Sequence, residues 1–282
     1  PSPTSRFGRV TSTSTPTRRV TATLTPATPQ TPTLAAPKSS KFPNAIYALK
    51  EERTIGNYAV RLWQNTAKGA SSFESLVTIS APGQRQVQVE SVSQINPLTG
   101  KDITGEGNPD VVIDSYTGGA HCCFVTTVYD LGPTLLKVLE TRESNCSGKF
   151  EDLDGDRALE FITCDDLFAY QYCCYAGTPV VKVILKYEAG KGYRPASPRF
   201  AQQYVADIAA HTELAKNAKP EDHCEWDKTN KCAVLPLILD YLYSGAPAKA
   251  WEALSLYYKY PDAAKFRAEI ERRVSQSAYY TK

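Results

Sequence analysis

The sequence predicts a mainly β protein, built of antiparallel sheets in a sandwich or blade-like arrangement, with a C-terminal α-helical cap and an extended N-terminal tail. Three observations carry that expectation. Between about residue 54 and residue 195 the chain is a succession of short alternating or β-branched runs, bounded by Gly, Pro, Asn and Asp. Beyond about residue 199 the apolar spacing changes from two to three and four. The first 43 residues are dominated by Thr, Ser and Pro and hold no acidic side chain.

Residues 1–43 are too poor in apolar side chains to bury a core of their own. They carry six basic residues, Arg6, Arg9, Arg18, Arg19, Lys38 and Lys41, which leaves 26 Lys and Arg against 30 Asp and Glu in the rest, a net of −4. The basic residues are scattered among hydroxyls rather than clustered, so nucleic acid is not the expected partner. The acidic body of a neighbouring copy is. Within Arg19–Thr25, Val20, Ala22 and Leu24 alternate with threonine, the period of a half-buried strand. They are read as an assembly strand, and the tail Thr and Ser as sites for O-linked glycans.

The β region spans 44–197. Its runs are Tyr58/Val60/Leu62, Val87/Val89, Val111–Ile113, Phe124–Tyr129, Leu135–Leu139 and Val180–Leu185. No strand–helix–strand alternation appears, which excludes a parallel nucleotide-binding sheet. The cap spans 198–282. Leu235, Ile238, Leu239 and Leu242 mark one helix face, followed by Trp251/Leu254/Tyr258 and Phe266/Ile270/Val274, with Gly245 and Pro261 between them. Such stripes are core rather than ligand sites. No apolar run reaches the roughly 18 residues of a membrane span. The chain starts at Pro1, and an upstream signal peptide or anchor is expected to have been removed.

Eight cysteines, Cys122, Cys123, Cys146, Cys164, Cys173, Cys174, Cys224 and Cys232, include two vicinal pairs and no C-x-x-C spacing. Zinc is therefore disfavoured, and disulfides in an oxidising, extracellular or cell-surface setting are expected. Cys224 and Cys232 bracket a polar loop and are expected to pair. The other connectivities are open at this level; one reading joins Cys146 to Cys164 and links the two vicinal pairs across neighbouring strands.

The most specific signal is an echo about fifty residues apart. Asp102, Thr104, Glu106, Asn108 and Asp110 precede one β run, and Asp152, Asp154, Asp156, Ala158 and Glu160 precede another. Oxygen-bearing side chains fall at the first, third, fifth and ninth positions, with Gly at the fourth. A hard cation such as calcium takes six to eight oxygens, and this alternation wraps a loop around it. Structural Ca2+ is the expected cofactor. The second loop gathers four carboxylates and is expected to bind it more strongly than the first, which has three and a threonine.

At these residues the chain resembles the FG-GAP repeats of integrin-like extracellular proteins, over about residues 95–190. The resemblance implies that Asp152, Asp154, Asp156 and Glu160, and likewise Asp102, Thr104, Glu106 and Asp110, are ligands of a structural metal. Arg157 departs from the pattern, standing where the family prefers Gly. Two repeats are too few for a seven-bladed propeller. The layout as a whole also resembles secreted microbial fibril subunits, in which a Thr/Pro-rich N-terminal segment runs into the next protomer.

Catalytic constellations are lacking. His121 precedes two cysteines, but a Gly-Gly turn into oxidised cysteines accounts for it. His211-Thr212-Glu213 is not followed by the P-C-x-x-C of a zinc deaminase. No nucleophile elbow, H-E-x-x-H or phosphate loop is present. The expectation is a non-enzymatic structural subunit of an extracellular fibril, a head-to-tail homopolymer. The alternative is a surface-anchored, adhesin-like binding module whose tail is a stalk.

Overall fold

From residue 54 onward, each alternating or β-branched run becomes a strand in one of three antiparallel sheets. A computed structural model describes residues 35–120, 122–219 and 226–281. Apart from Ala35 these belong to one unit, Ala36–Lys282. The assembly strand Val20, Ala22 and Leu24, the proposed glycan sites before residue 35, and Cys224, His121 and His223 lie outside the described residues.

The first sheet contains β1 (Tyr47–Ile55), β2 (Tyr58–Asn65), β3 (Ser75–Ser80) and β4 (Val87–Glu90). The second contains β5 (Val92–Ile95), β6 (Asp110–Tyr116), β7 (Phe124–Leu131) and β8 (Leu135–Glu140). The third contains β9 (Lys149–Glu151), β10 (Glu160–Asp165), β11 (Val181–Glu188) and β12 (Gly192–Pro195). In every sheet the strands lie side by side in chain order. Four helices follow: α1 (Val205–Asn217), α2 (Lys231–Tyr243), α3 (Pro247–Tyr257) and α4 (Ala263–Val274).

The second sheet is buried on both faces, and the period of two in β6 shows how. Val111 and Ile113 join Val60, Leu62, Val77 and Ile79 of the first sheet in one core. Val112 points the other way, into a larger core that holds Phe161, Val183, Leu235, Ile238 and Ile270. Strands of the third sheet and helices thus share that larger core. Helix α2 is buried almost all round, not on one face, with Val234 and Leu237 as inaccessible as Leu235 and Leu239. No helix among the described residues is long and apolar enough to cross a membrane.

All seven described cysteines are disulfide-bonded. Cys146 joins Cys164, tying the segment after β8 to β10. The expected Cys224–Cys232 pairing is overturned, because Cys232 is bonded to Cys173. Cys232 lies in the first turn of the buried helix α2 and faces the core, where Cys173 is fully enclosed, rather than the polar loop before it. Closing a loop across a sequence separation of 59 removes about 4 kcal/mol of unfolded-state freedom. The vicinal pairs are not linked to each other either. Cys122 and Cys123 are bonded together, their sulfurs lying where Gly119 would carry a Cβ.

Gly192 joins the third sheet to the second. Its φ is +75°, and a Cβ there would collide with the Val138 carbonyl of β8. Gly192→Ala therefore combines left-handed strain with overpacking and is expected to lower stability by at least about 2 kcal/mol in urea unfolding. A loss under half that would mean the two sheets are loosely joined.

Candidate metal centre

Each acidic loop links the first two strands of its sheet, β5 to β6 and β9 to β10. The two loops fold alike. Asp102 Oδ1 and Oδ2 accept from Gly105 N (2.7 Å) and Gly107 N (2.8 Å), and Asp152 does the same from Gly155 N (2.7 Å) and Arg157 N (3.2 Å). Gly105 and Gly155 have φ of +76° and +79°, Gly107 and Arg157 +90° and +78°. Arg157 thus adopts the left-handed turn for which glycine is the usual residue, at a cost of about 1–2 kcal/mol. At the ninth position, Asp110 Oδ2 accepts from Ile103 N (2.8 Å) and Thr104 N (3.2 Å), while Glu160 Oε2 accepts from Leu153 N (2.8 Å). The loops touch: Leu159 N donates to Ile103 O at 2.8 Å.

Their charges are arranged differently. In the second loop Asp154, Asp156 and Glu160 converge on Lys186 Nζ from β11, at 2.9, 2.8 and 2.6 Å. Burial works to depress the Lys186 ammonium. Hydrogen bonds that it donates to Asp156, Glu160 and Asp154 outweigh it and hold its pKa above the usual lysine range. The hydrogen bond from Lys186 holds Asp156 below the usual carboxylate range. Asp152, Asp154 and Asp156 are exposed, and each brings a carboxylate oxygen within 4.8 Å of the others, an arrangement able to hold a divalent cation. Ala158 contributes no side-chain ligand; its N–H donates to Asp156 Oδ1 at 3.0 Å.

No lysine converges on the carboxylates of the first loop among the described residues, Lys101 being exposed and in no ion pair with them. Asp110 is fully buried at the head of β6, and burial, with the charges of Asp130 and Asp102, pushes its pKa up to about 7. Its Oδ1 is enclosed without a hydrogen-bond partner. Thr104 Oγ1 donates to Asp102 or Asp110, each at 3.3 Å. Glu106 lies exposed beside the Tyr187 hydroxyl. The Asn108 side chain turns away to Asp130, at 3.4 Å. Lys186 and Asp130 were not found by sequence reasoning, since each reaches its loop only through strand pairing.

Elsewhere, Cys122, Cys123 and Glu143 come together, but bridged sulfurs are not thiolate ligands. His211 Nδ1 lies 2.6 Å from Asp240 Oδ2, joining α1 to α2.

Comparison with known protein families, with characterised proteins and with solved structures found no match. The resemblance to FG-GAP and integrin-like repeats is overturned by that finding, and no propeller-type closure accompanies the three sheets. The reading as a secreted, self-assembling fibril glycoprotein falls on the same result, and nothing among the described residues supports insertion of the N-terminal segment.

Two outcomes follow from these charges. Lys186→Met leaves a buried Glu160 facing two further carboxylates and is expected to cost about 3–5 kcal/mol in urea unfolding with chelator present. A loss below about 1 kcal/mol would show that Lys186 is not their counter-ion. For the α1–α2 pair, the Asp240 hydrogen bond raises the His211 pKa above its ordinary value. Stability from the pair is complete below the unfolded histidine pKa of about 6.5 and is lost as pH rises through the raised folded value. His211→Asn should abolish that fall, on the order of 1 kcal/mol, between unfolding curves at about pH 6 and about pH 9. An unchanged pH profile in the variant would assign the fall to other groups.

Proposed function

We propose that this chain is a non-catalytic binding module of an oxidising compartment, its scaffold braced by disulfides and by one structural calcium ion at the paired acidic loops. The observation that carries the reading is the pair itself. Two carboxylate-rich loops of the same backbone geometry, hydrogen-bonded to each other at Leu159 and Ile103, sit where the second and third sheets meet. Oxygen-only side chains suit calcium better than zinc or copper. The bonded state of every described cysteine supports the compartment. A groove of about 920 Å³ on the helical side, lined by Pro198, Leu242, Trp251, Val274 and Tyr280, offers a mainly apolar binding surface.

Calcium bound only by the folded chain stabilises it by mass action, about 2.7 kcal/mol at a hundredfold excess over Kd. Chelation should therefore lower Tm by about 5–10 °C, and millimolar calcium should restore it. A Tm that stays within about a degree in chelator and in calcium would defeat the cation reading.

A further inference from the structure

The two loops are equivalent in backbone and opposite in counter-charge, and one position makes the difference. Glu160 opens β10, and its cross-strand neighbour is Lys186, one step beyond the Phe161–Leu185 pair. Asp110 opens β6, and its cross-strand neighbour is Asp130. Where the second loop receives an ammonium, the first receives another carboxylate. Like charges directly opposite in an antiparallel pair repel, and both of these are buried, Asp110 at 0% and Asp130 at 4% exposure. Among the described residues no Lys, Arg or His forms an ion pair with Asp102, Glu106, Asp110 or Asp130.

We propose that the calcium ion is held at the first loop by Asp110 and Asp130, with Asp102 and Glu106 at the rim, and that Lys186 is the built-in cation of the second. The inference rests on the calcium reading above and specifies its site. Asp110 Oδ1, enclosed and without a hydrogen-bond partner, supplies an uncommitted buried acceptor beside Asp130. Asp130 Oδ1 already accepts from Gly132 N at 2.8 Å and Asn108 Nδ2 lies 3.4 Å from both oxygens, which fixes that side chain in place. The sister loop provides the internal precedent, a positive charge received by the ninth-position carboxylate. The carboxylates set closest together are those of the second loop, but three of its four acidic residues are already engaged by Lys186. The expected ranking of the two loops is thereby reversed: the loop with fewer carboxylates in sequence gains one from β7.

Calorimetric titration of the full chain with calcium chloride tests this. The wild type should take up one ion. Asp130→Asn should weaken binding at least tenfold, and Asp130→Lys, which imports the charge found in the second loop, should abolish binding and make Tm insensitive to chelator. Asp154→Asn should keep binding. Absence of binding in the wild type would overturn the calcium reading and this inference together. Binding retained in Asp130→Asn and lost in Asp154→Asn would overturn only the inference. If the Asp130 variants do not fold, retention of binding in Asp154→Asn supports the first loop and its loss overturns it.

Discussion

A carboxylate at the head of a buried strand must be neutralised, and the joint between the second and third sheets is organised around two of them. Asp110 and Glu160 are both inaccessible, and both spend one oxygen on the backbone N–H groups of their own loop. That bond shapes each loop, because it draws the second residue, Ile103 or Leu153, inward and leaves the first, Asp102 or Asp152, to cap the turn that follows. The remaining oxygen is what differs. In Glu160 it meets Lys186 at 2.6 Å; in Asp110 it meets no hydrogen-bond donor among the described residues. The geometry of the pair is shared, so its chemistry divides on the neighbouring strand.

The same joint explains why the loops tolerate different residues. Gly107 and Arg157 occupy one left-handed position, and the strain of a non-glycine residue there is small beside the several kcal/mol at stake in neutralising a buried carboxylate. Ile103 is fully buried whereas its counterpart Leu153 is only half so, because Ile103 faces the larger core while its carbonyl accepts from Leu159 of the other loop. One loop is therefore built into the core and the other lies over it. Three carboxylates of the outer loop remain exposed, where water and Lys186 share their solvation.

Much of the scaffold was legible in the sequence. Alternation at Tyr58, Val60 and Leu62 and the apolar run Val111–Ile113 mark β2 and β6 because their side chains face cores, and burial is what periodicity records. Strand β1 was not legible. Its middle, Lys50-Glu51-Glu52-Arg53, is a charged and largely exposed edge, the composition that keeps an edge from pairing with other chains. Helix α1 was equally faint, with Ala215 its single fully buried residue. The oxygen spacing of both loops was visible as a motif, yet their counter-charges were not. Asp130 and Lys186 lie 20 and 26 residues beyond the carboxylates they face, and only strand register brings them there. Pairing of cysteines failed for a related reason: Cys224 and Cys232 are close in sequence, but burial of α2 turns Cys232 toward Cys173.

Covalent and electrostatic bracing divide the molecule between them. The first sheet has no cysteine and is held by a continuous apolar core with the second. The third sheet has strands of only three and four residues at its edges, β9 and β12, too short to hold register by ladder bonds alone. Cys146–Cys164 pins β10 beside the segment that leads into β9, and Cys173–Cys232 pins the segment after β10 to α2. Inside the first of those bridges lies the loop that carries its own cation in Lys186. The loop without one lies where the second and third sheets meet, and none of the three bridges described, Cys122–Cys123, Cys146–Cys164 and Cys173–Cys232, joins those sheets. A bound ion there would act where none of the described bridges does, by cancelling the repulsion of Asp110 and Asp130 across the ladder that both cores share.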